Sequence, residues 1–162
     1  MARQTVRIHN TTRRHVPRTA LRKLILEALR LHGDPELSVE LNVIFVDDAR
    51  IQELNRQFLG RDRPTDVIAF NLSDSPEKLE GEVYVSVETA ERQALDYGVT
   101  FWNELCRLAV HGVLHLLGFD DATDVQKKRM TEEENRILGV LADGFREKNR
   151  SNGKPTKQKE AR

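Results

Sequence analysis

The chain has 162 residues, 38% hydrophobic and 32% charged, with a single cysteine. That length suits one domain with one modest core. Lone Cys106 excludes an internal disulfide framework and fits a reducing compartment, and no apolar run approaches the roughly 18 residues of a membrane span.

The net charge of zero conceals an asymmetry. Residues 1–33 hold eight Arg or Lys against one acid, residues 146–162 hold seven against two, and residues 34–145 hold 11 against 23. Basic ends around an acidic middle suggest separate surfaces, one for phosphates and one for a cation or a basic partner. No apolar stretch follows the basic N-terminus as a signal peptide requires, so a soluble cytoplasmic protein is expected.

Thr5–His9 alternates and predicts a short strand. Pro17 opens a helix to about Leu31, with Leu21, Leu24, Ile25, Ala28 and Leu29 on one face, and Gly33-Asp-Pro35 ends it. Leu37–Val46 alternates as a second strand. Asp47-Asp48 supplies an N-cap for a helix over Ala49–Phe58. A polar loop, Gly60–Asp66, leads into the short strand Val67–Phe70. Ser73–Glu80 reads as a polar connection, followed by a strand over Gly81–Val87 and a helix from about Glu88 to Tyr97. Thr100 or a neighbour caps a long apolar helix in which Cys106 is a packing residue. A last helix runs from about Thr123 to Gly139 or a little beyond. The Lys-, Gly- and Gln-rich segment 149–162 is expected to be a disordered basic tail after a domain over 1–148. Strands and helices without strict alternation predict an α+β fold, a small mixed sheet packed with about five helices.

The long helix carries the chemistry. His111 and His115 are four apart and share one helical face, so two imidazoles can converge on one ion. Both are costly in the apolar run Leu105–Leu117 unless a partner satisfies them. Gly118 can end the helix in a left-handed conformation and bring Asp120 or Asp121 back beside the histidines. Two imidazoles and a carboxylate leave a fourth zinc position open for water, the arrangement of a catalytic metal. The spacing matches the long zinc-protease pattern H-E-x-x-H-x-x-G-x-x-H, with Asp121 third. Gly112 stands where that pattern needs its general base, so peptide hydrolysis by that mechanism is excluded.

Residues 111–121, HGVLHLLGFDD, strongly resemble the signature H-G-x-L-H-L-x-G-[YF]-D-H of the YbeY family of bacterial rRNA-maturation proteins. Residues 54–70, LNRQFLGRDRPTDVIAF, are similar to the family's L-N-x-x-[YF]-R-G-x-D-x-P-T-D-V-[LI]-S-F, and Gly81–Ser86 is a weaker third match. The resemblance covers nearly all of residues 37–140. It implies an α+β metal-dependent endoribonuclease acting on single-stranded RNA, in small-subunit rRNA 3′-end maturation and ribosome quality control. It also implies one Zn2+ held by His111, His115 and Asp121 at the end of a central helix, with the small ribosomal subunit as partner. Two positions depart from the family. Asp121 replaces the commoner His, an acceptable exchange at zinc. Leu59 replaces Arg, so a phosphate role there does not carry over, and Arg61 and Arg63 are the nearby substitutes.

Two nucleophiles are compatible with these residues, a zinc-bound water and the neighbouring 2′-OH. Asp66, Glu82 and Asp120 are candidates for proton transfer or for orienting a ligand. A turn or cap is the competing role for Asp66, an exposed strand position that for Glu82. Arg18, Arg22, Lys23 and Arg30 join Arg61 and Arg63 as candidate phosphate contacts. Phe58, Phe70 and Tyr84 are expected in the core. A metallohydrolase of another substrate and a non-catalytic ribosome-assembly factor with structural zinc are the alternatives.

Overall fold

Period-two alternation builds the sheet and period-3.6 stripes cover it. The computed structural model describes the backbone of residues 2–151 and the side chains of 2–141. Its elements in chain order are β1 (Gln4–Asn10), α1 (Arg18–His32), β2 (Ser38–Val46), α2 (Asp48–Leu59), β3 (Val67–Asn71), β4 (Lys78–Ser86), α3 (Val87–Tyr97), α4 (Phe101–Leu116) and α5 (Asp124–Ser151). The strand order is β1-β2-β4-β3, with β1, β2 and β4 parallel and β3 antiparallel to β4. The fold is α+β.

One face of the sheet carries Val6, Ile8, Leu41, Val43, Phe45, Val83 and Val85 into the main core, where α1 and α4 pack over them and α5 adds Met130 and Ile137. The other face is covered more sparsely. There α2 lays Ile51 and Leu54 on Val46 and Ile68.

Local chemistry sets the helix ends. The Asp47 side chain accepts from the Arg50 amide, the Thr100 hydroxyl oxygen accepts from the Asn103 amide, and Gly60 and Gly98 close α2 and α3 in the left-handed region. At the start of α5, Thr123 Oγ1 accepts from the Gln126 amide and Gln126 Oε1 from the Thr123 amide, a reciprocal capping box.

Three expectations need correction. β4 begins at Lys78, not Gly81, because Leu79 already faces inward between outward Lys78 and Glu80. α5 continues to Ser151, well past Gly139. The division set at 148/149 falls inside this helix, and the rest of the expected tail, 152–162, lies outside the described residues. Finally, Arg18 donates to the Ile8 carbonyl at 2.6 Å and Arg22 to that of Val6. These side chains satisfy exposed carbonyls of edge strand β1, and Arg30 pairs with Glu27, so three of the four cations of the first helix already have partners.

Candidate metal centre

α4 is buried along most of its length, with Leu105, Leu108, Ala109, Val110, Val113 and Leu114 in the main core. Cys106 packs with them, and burial pushes its thiol up to about 12, which suits packing and not nucleophilic attack. Gly112 marks the closest approach to the sheet. A Cβ on it would lie 2.4 Å from Val83 Cγ1 and 3.2 Å from Val67 Cγ2. The position that holds the base in zinc proteases therefore faces the strands, while His111 and His115 face outward, 22% and 30% exposed.

The turn after α4 delivers the third group. Gly118 adopts φ +99°. Its amide donates to the His115 carbonyl at 3.1 Å, and the Phe119 amide to the Leu114 carbonyl at 3.0 Å. These two bonds form a Schellman closure with the glycine at its left-handed position. Nothing lies within 4 Å of a Cβ at Gly118, so dihedral angle and not space calls for glycine there. Phe119 then tucks against the core, and Asp121 turns back over the histidines.

The three side chains meet. His111 Nε2 and His115 Nε2 are 3.1 Å apart, and Asp121 Oδ2 is 3.6 Å from each. Donors around a tetrahedral zinc at about 2.0–2.1 Å stand about 3.3–3.4 Å from one another, a value inside the observed range. No fourth His, Cys, Asp or Glu joins the group among the described residues, and the Asp121 side chain is 43% exposed, which leaves an approach from solvent.

Glu134, unremarked in the sequence, completes the arrangement. It lies on α5, only 6% exposed, between buried Met130 and Ile137. Its Oε2 is 3.4 Å from His111 Nδ1, and its Oε1 is 3.8 Å from Arg107 Nη1. A carboxylate can only accept, so Nδ1 carries the proton of the neutral ring and Nε2 presents its lone pair to the other two groups. Burial disfavours the charged imidazole, but the Glu134 hydrogen bond and the charges of Glu134, Asp121 and Asp66 outweigh it, raising the His111 pKa. The sequence signal was an acid inside the apolar stripe 130/134/137, masked by its neighbours Glu132 and Glu133. Glu104 also went unnoticed. It is 2% exposed with Oε2 unpartnered, and burial raises its pKa, opposed by Arg107 and reinforced by Asp66 and Glu134.

The remaining candidates are dispersed. Asp66 opens β3, where its carboxylate accepts from the Val67 amide at 2.8 Å and from Gln93 at 3.3 Å. That is a capping geometry, although its charge reaches His111. Glu82 sits on the α2 side of the sheet, away from the histidines, and accepts from the Tyr84 hydroxyl at 2.5 Å. Asp120 Oδ1 accepts from the Asp121 amide at 2.8 Å, and the residue lines a shallow cavity with Gln126 and Arg129 on the far side of the turn. Arg61 and Arg63 are exposed in the loop before β3.

Comparison with known proteins agrees with this architecture. A family model described as Endoribonuclease YbeY matches residues 7–142. An Endoribonuclease YbeY of Desulfitobacterium hafniense is 44% identical over 127 residues, covering 72% of this chain and 80% of the relative. One of Chlorobium phaeovibrioides is 38% identical over 140 residues, covering 86% and 93%. The solution structure of TM1509 from Thermotoga maritima superposes with a TM-score of 0.61 at 32% identity, covering 95% of this chain and all of that one. By sequence and by fold, this chain belongs to the YbeY endoribonuclease family.

Proposed function

We propose that the protein is a zinc-dependent endoribonuclease of single-stranded RNA, with His111, His115 and Asp121 as the ligands of one Zn2+. Convergence of three suitable donors on a solvent-facing position carries the reading. A structural zinc takes four protein ligands, and a fourth is missing among the described residues. Bound there, zinc supplies Lewis-acid polarisation of a phosphoryl oxygen and a more acidic water. The chain's own residues do the rest. Glu134 holds His111 in the tautomer that presents Nε2, as carboxylates behind metal-bound histidines do. The Schellman turn fixes where Asp121 stands. Arg61 and Arg63, exposed in the loop before β3, hold the RNA backbone by charge in this reading. The cellular role we assign is small-subunit rRNA 3′-end maturation and ribosome quality control, in the cytoplasm and with the small ribosomal subunit as partner. No described helix is long and apolar enough to cross a membrane.

Incubation of zinc-loaded and chelator-stripped protein with unpaired RNA, duplex RNA, a peptide and an ester tests the chemistry. Only unpaired RNA should be cut, only by the loaded protein, and zinc should restore the stripped sample. Turnover of the peptide or ester with RNA left intact would identify a hydrolase of another substrate.

The ligand register has its own test. By elemental analysis Asp121→Ala should lose the metal, Asp120→Ala should keep about one ion per chain, and Asp121→His should retain binding because imidazole is an equally good donor. The reverse pattern for the two alanine variants would move the third ligand to Asp120.

A further inference from the structure

The sparsely covered face of the sheet carries a row of aromatic rings that the metal centre does not use. Phe58, in the last turn of α2, stands edge-on to Phe70 of β3 with centroids 5.3 Å apart and planes at 67°. Phe70 stands in the same way against Tyr84 of β4, at 5.9 Å and 76°. The inner members are partly buried, whereas Phe58 is 58% exposed, neighbouring Leu59 53%, and Leu72 at the end of β3 47%. Phe58 is therefore not a core residue. It is the exposed end of a packed row, held from one side with its remaining surface in water.

The surroundings are cationic and ordered. Left-handed Gly60 turns the chain back on the end of α2. The Arg61 amide donates to the Asn55 carbonyl at 3.2 Å, and the buried Asn55 side-chain amide donates to the Arg63 carbonyl at 2.8 Å. Arg61 and Arg63 are thus tethered beside the turn that carries Phe58. They and Arg56 are exposed, and none pairs with a carboxylate among the described residues. The acid between the two arginines, Asp62, accepts from Gln52 at 3.2 Å, and Asp66 at the end of the loop is taken up by the Val67 amide and Gln93.

We propose that Phe58, extended by Leu59, is a stacking platform for unpaired bases, with the three arginines taking the phosphates on either side. A fixed aromatic surface with flanking cations is the combination that binds single strands irrespective of sequence. A duplex keeps its base faces inside its own stack and offers this platform nothing. An apolar protein partner fits less well, because three unpaired guanidinium groups would lose water against it without a counter-charge. The placement also bears on the reaction. Val67 and Ala69 of β3 pack beneath α4, whereas Ile68 and Phe70 face α2, so platform and metal centre lie on opposite faces of an edge strand. A strand that uses both must round the free edge of β3, which requires it to be unpaired.

This inference rests on the ribonuclease reading for its choice of ligand. The test measures fluorescence anisotropy with zinc-loaded full-length protein and a nuclease-resistant 2′-O-methyl RNA of about twelve nucleotides, as a single strand and annealed to its complement. Phe58→Ala should weaken single-strand binding about five- to a hundredfold with zinc content and duplex binding unaltered. Phe58→Trp should bind the single strand at least as tightly as the wild type. Undiminished single-strand affinity in Phe58→Ala overturns the platform and leaves the nuclease standing, as does equal weakening for single strand and duplex. A concentration-dependent dimer of the wild type that Phe58→Ala abolishes would also overturn it, assigning the face to a second copy. Absence of RNA binding by the wild type would instead remove the ribonuclease reading beneath it.

Discussion

Purified identically to the wild type, His115→Ala is expected to carry no zinc above background and to leave unpaired RNA uncut. His115 Nε2 is 3.1 Å from His111 Nε2 and 3.6 Å from Asp121 Oδ2, and its removal leaves one imidazole and one half-exposed carboxylate. Loss of a partner behind a metal ligand already costs about 10–100-fold in affinity or activity, so loss of a donor itself should exceed that. The fold should survive, because His115 is 30% exposed and the core positions of α4 are untouched. Melting temperature and circular dichroism would verify this. The pairing with wild type is essential because traces of a contaminating nuclease would appear equally in both preparations. A His115→Ala protein that keeps one zinc per chain and cuts RNA at the wild-type rate would end the metal-centre reading.

Glu134→Gln should weaken zinc binding about 10–100-fold while keeping the shape of the side chain. The charge that supports His111 comes from Glu134, Asp121 and Asp66 against the penalty of burial. Without the first of these the His111 pKa should fall. The sign of the pH effect follows. In the metal-free protein His111 has a folded pKa above its unfolded value of about 6.5. Its stabilising contribution is therefore complete below that pH and disappears as pH rises through the folded pKa. Melting of the metal-free wild type against pH should show this gain on the acid side, and Glu134→Gln should flatten it. Zinc needs the neutral imidazole, so zinc affinity should fall as pH drops through the raised pKa. Calorimetric titration with zinc would read both effects. Equal zinc affinity in Glu134→Gln and wild type would show that the carboxylate behind His111 is only a packing feature.

The convergence of His111, His115 and Asp121 was legible because its ingredients are local. Four-residue spacing, a glycine seven after the first histidine and an acid ten after it all act within one helix and one turn. Glu134 was not legible, since its meaning depends on α5 lying against α4 and its neighbours make it look like part of a solvated run. The first residues of β4 were hidden for a related reason. Lys78 and Glu80 read as loop until β2 pairs alongside and buries Leu79 between them. Phe58 follows Ile51 and Leu54 on one helical stripe, but where those two are buried the last position of the stripe is left in water. Arg18 and Arg22 looked available for phosphate because nothing in the sequence tells which strand carbonyls will lack partners.

The contact between Gly112 and Val83 has a consequence for the range of reactions open to this scaffold. A helix seated so near its sheet has no room for a longer residue at that point, so a glutamate there would wedge the two layers apart before it could meet any substrate. The zinc-protease mechanism that relies on a glutamate at this position is thus closed off by architecture, and a change of one codon cannot restore it. Any evolutionary path between the two chemistries has to pass through a reseating of the helix, with the valine beneath it changing as well.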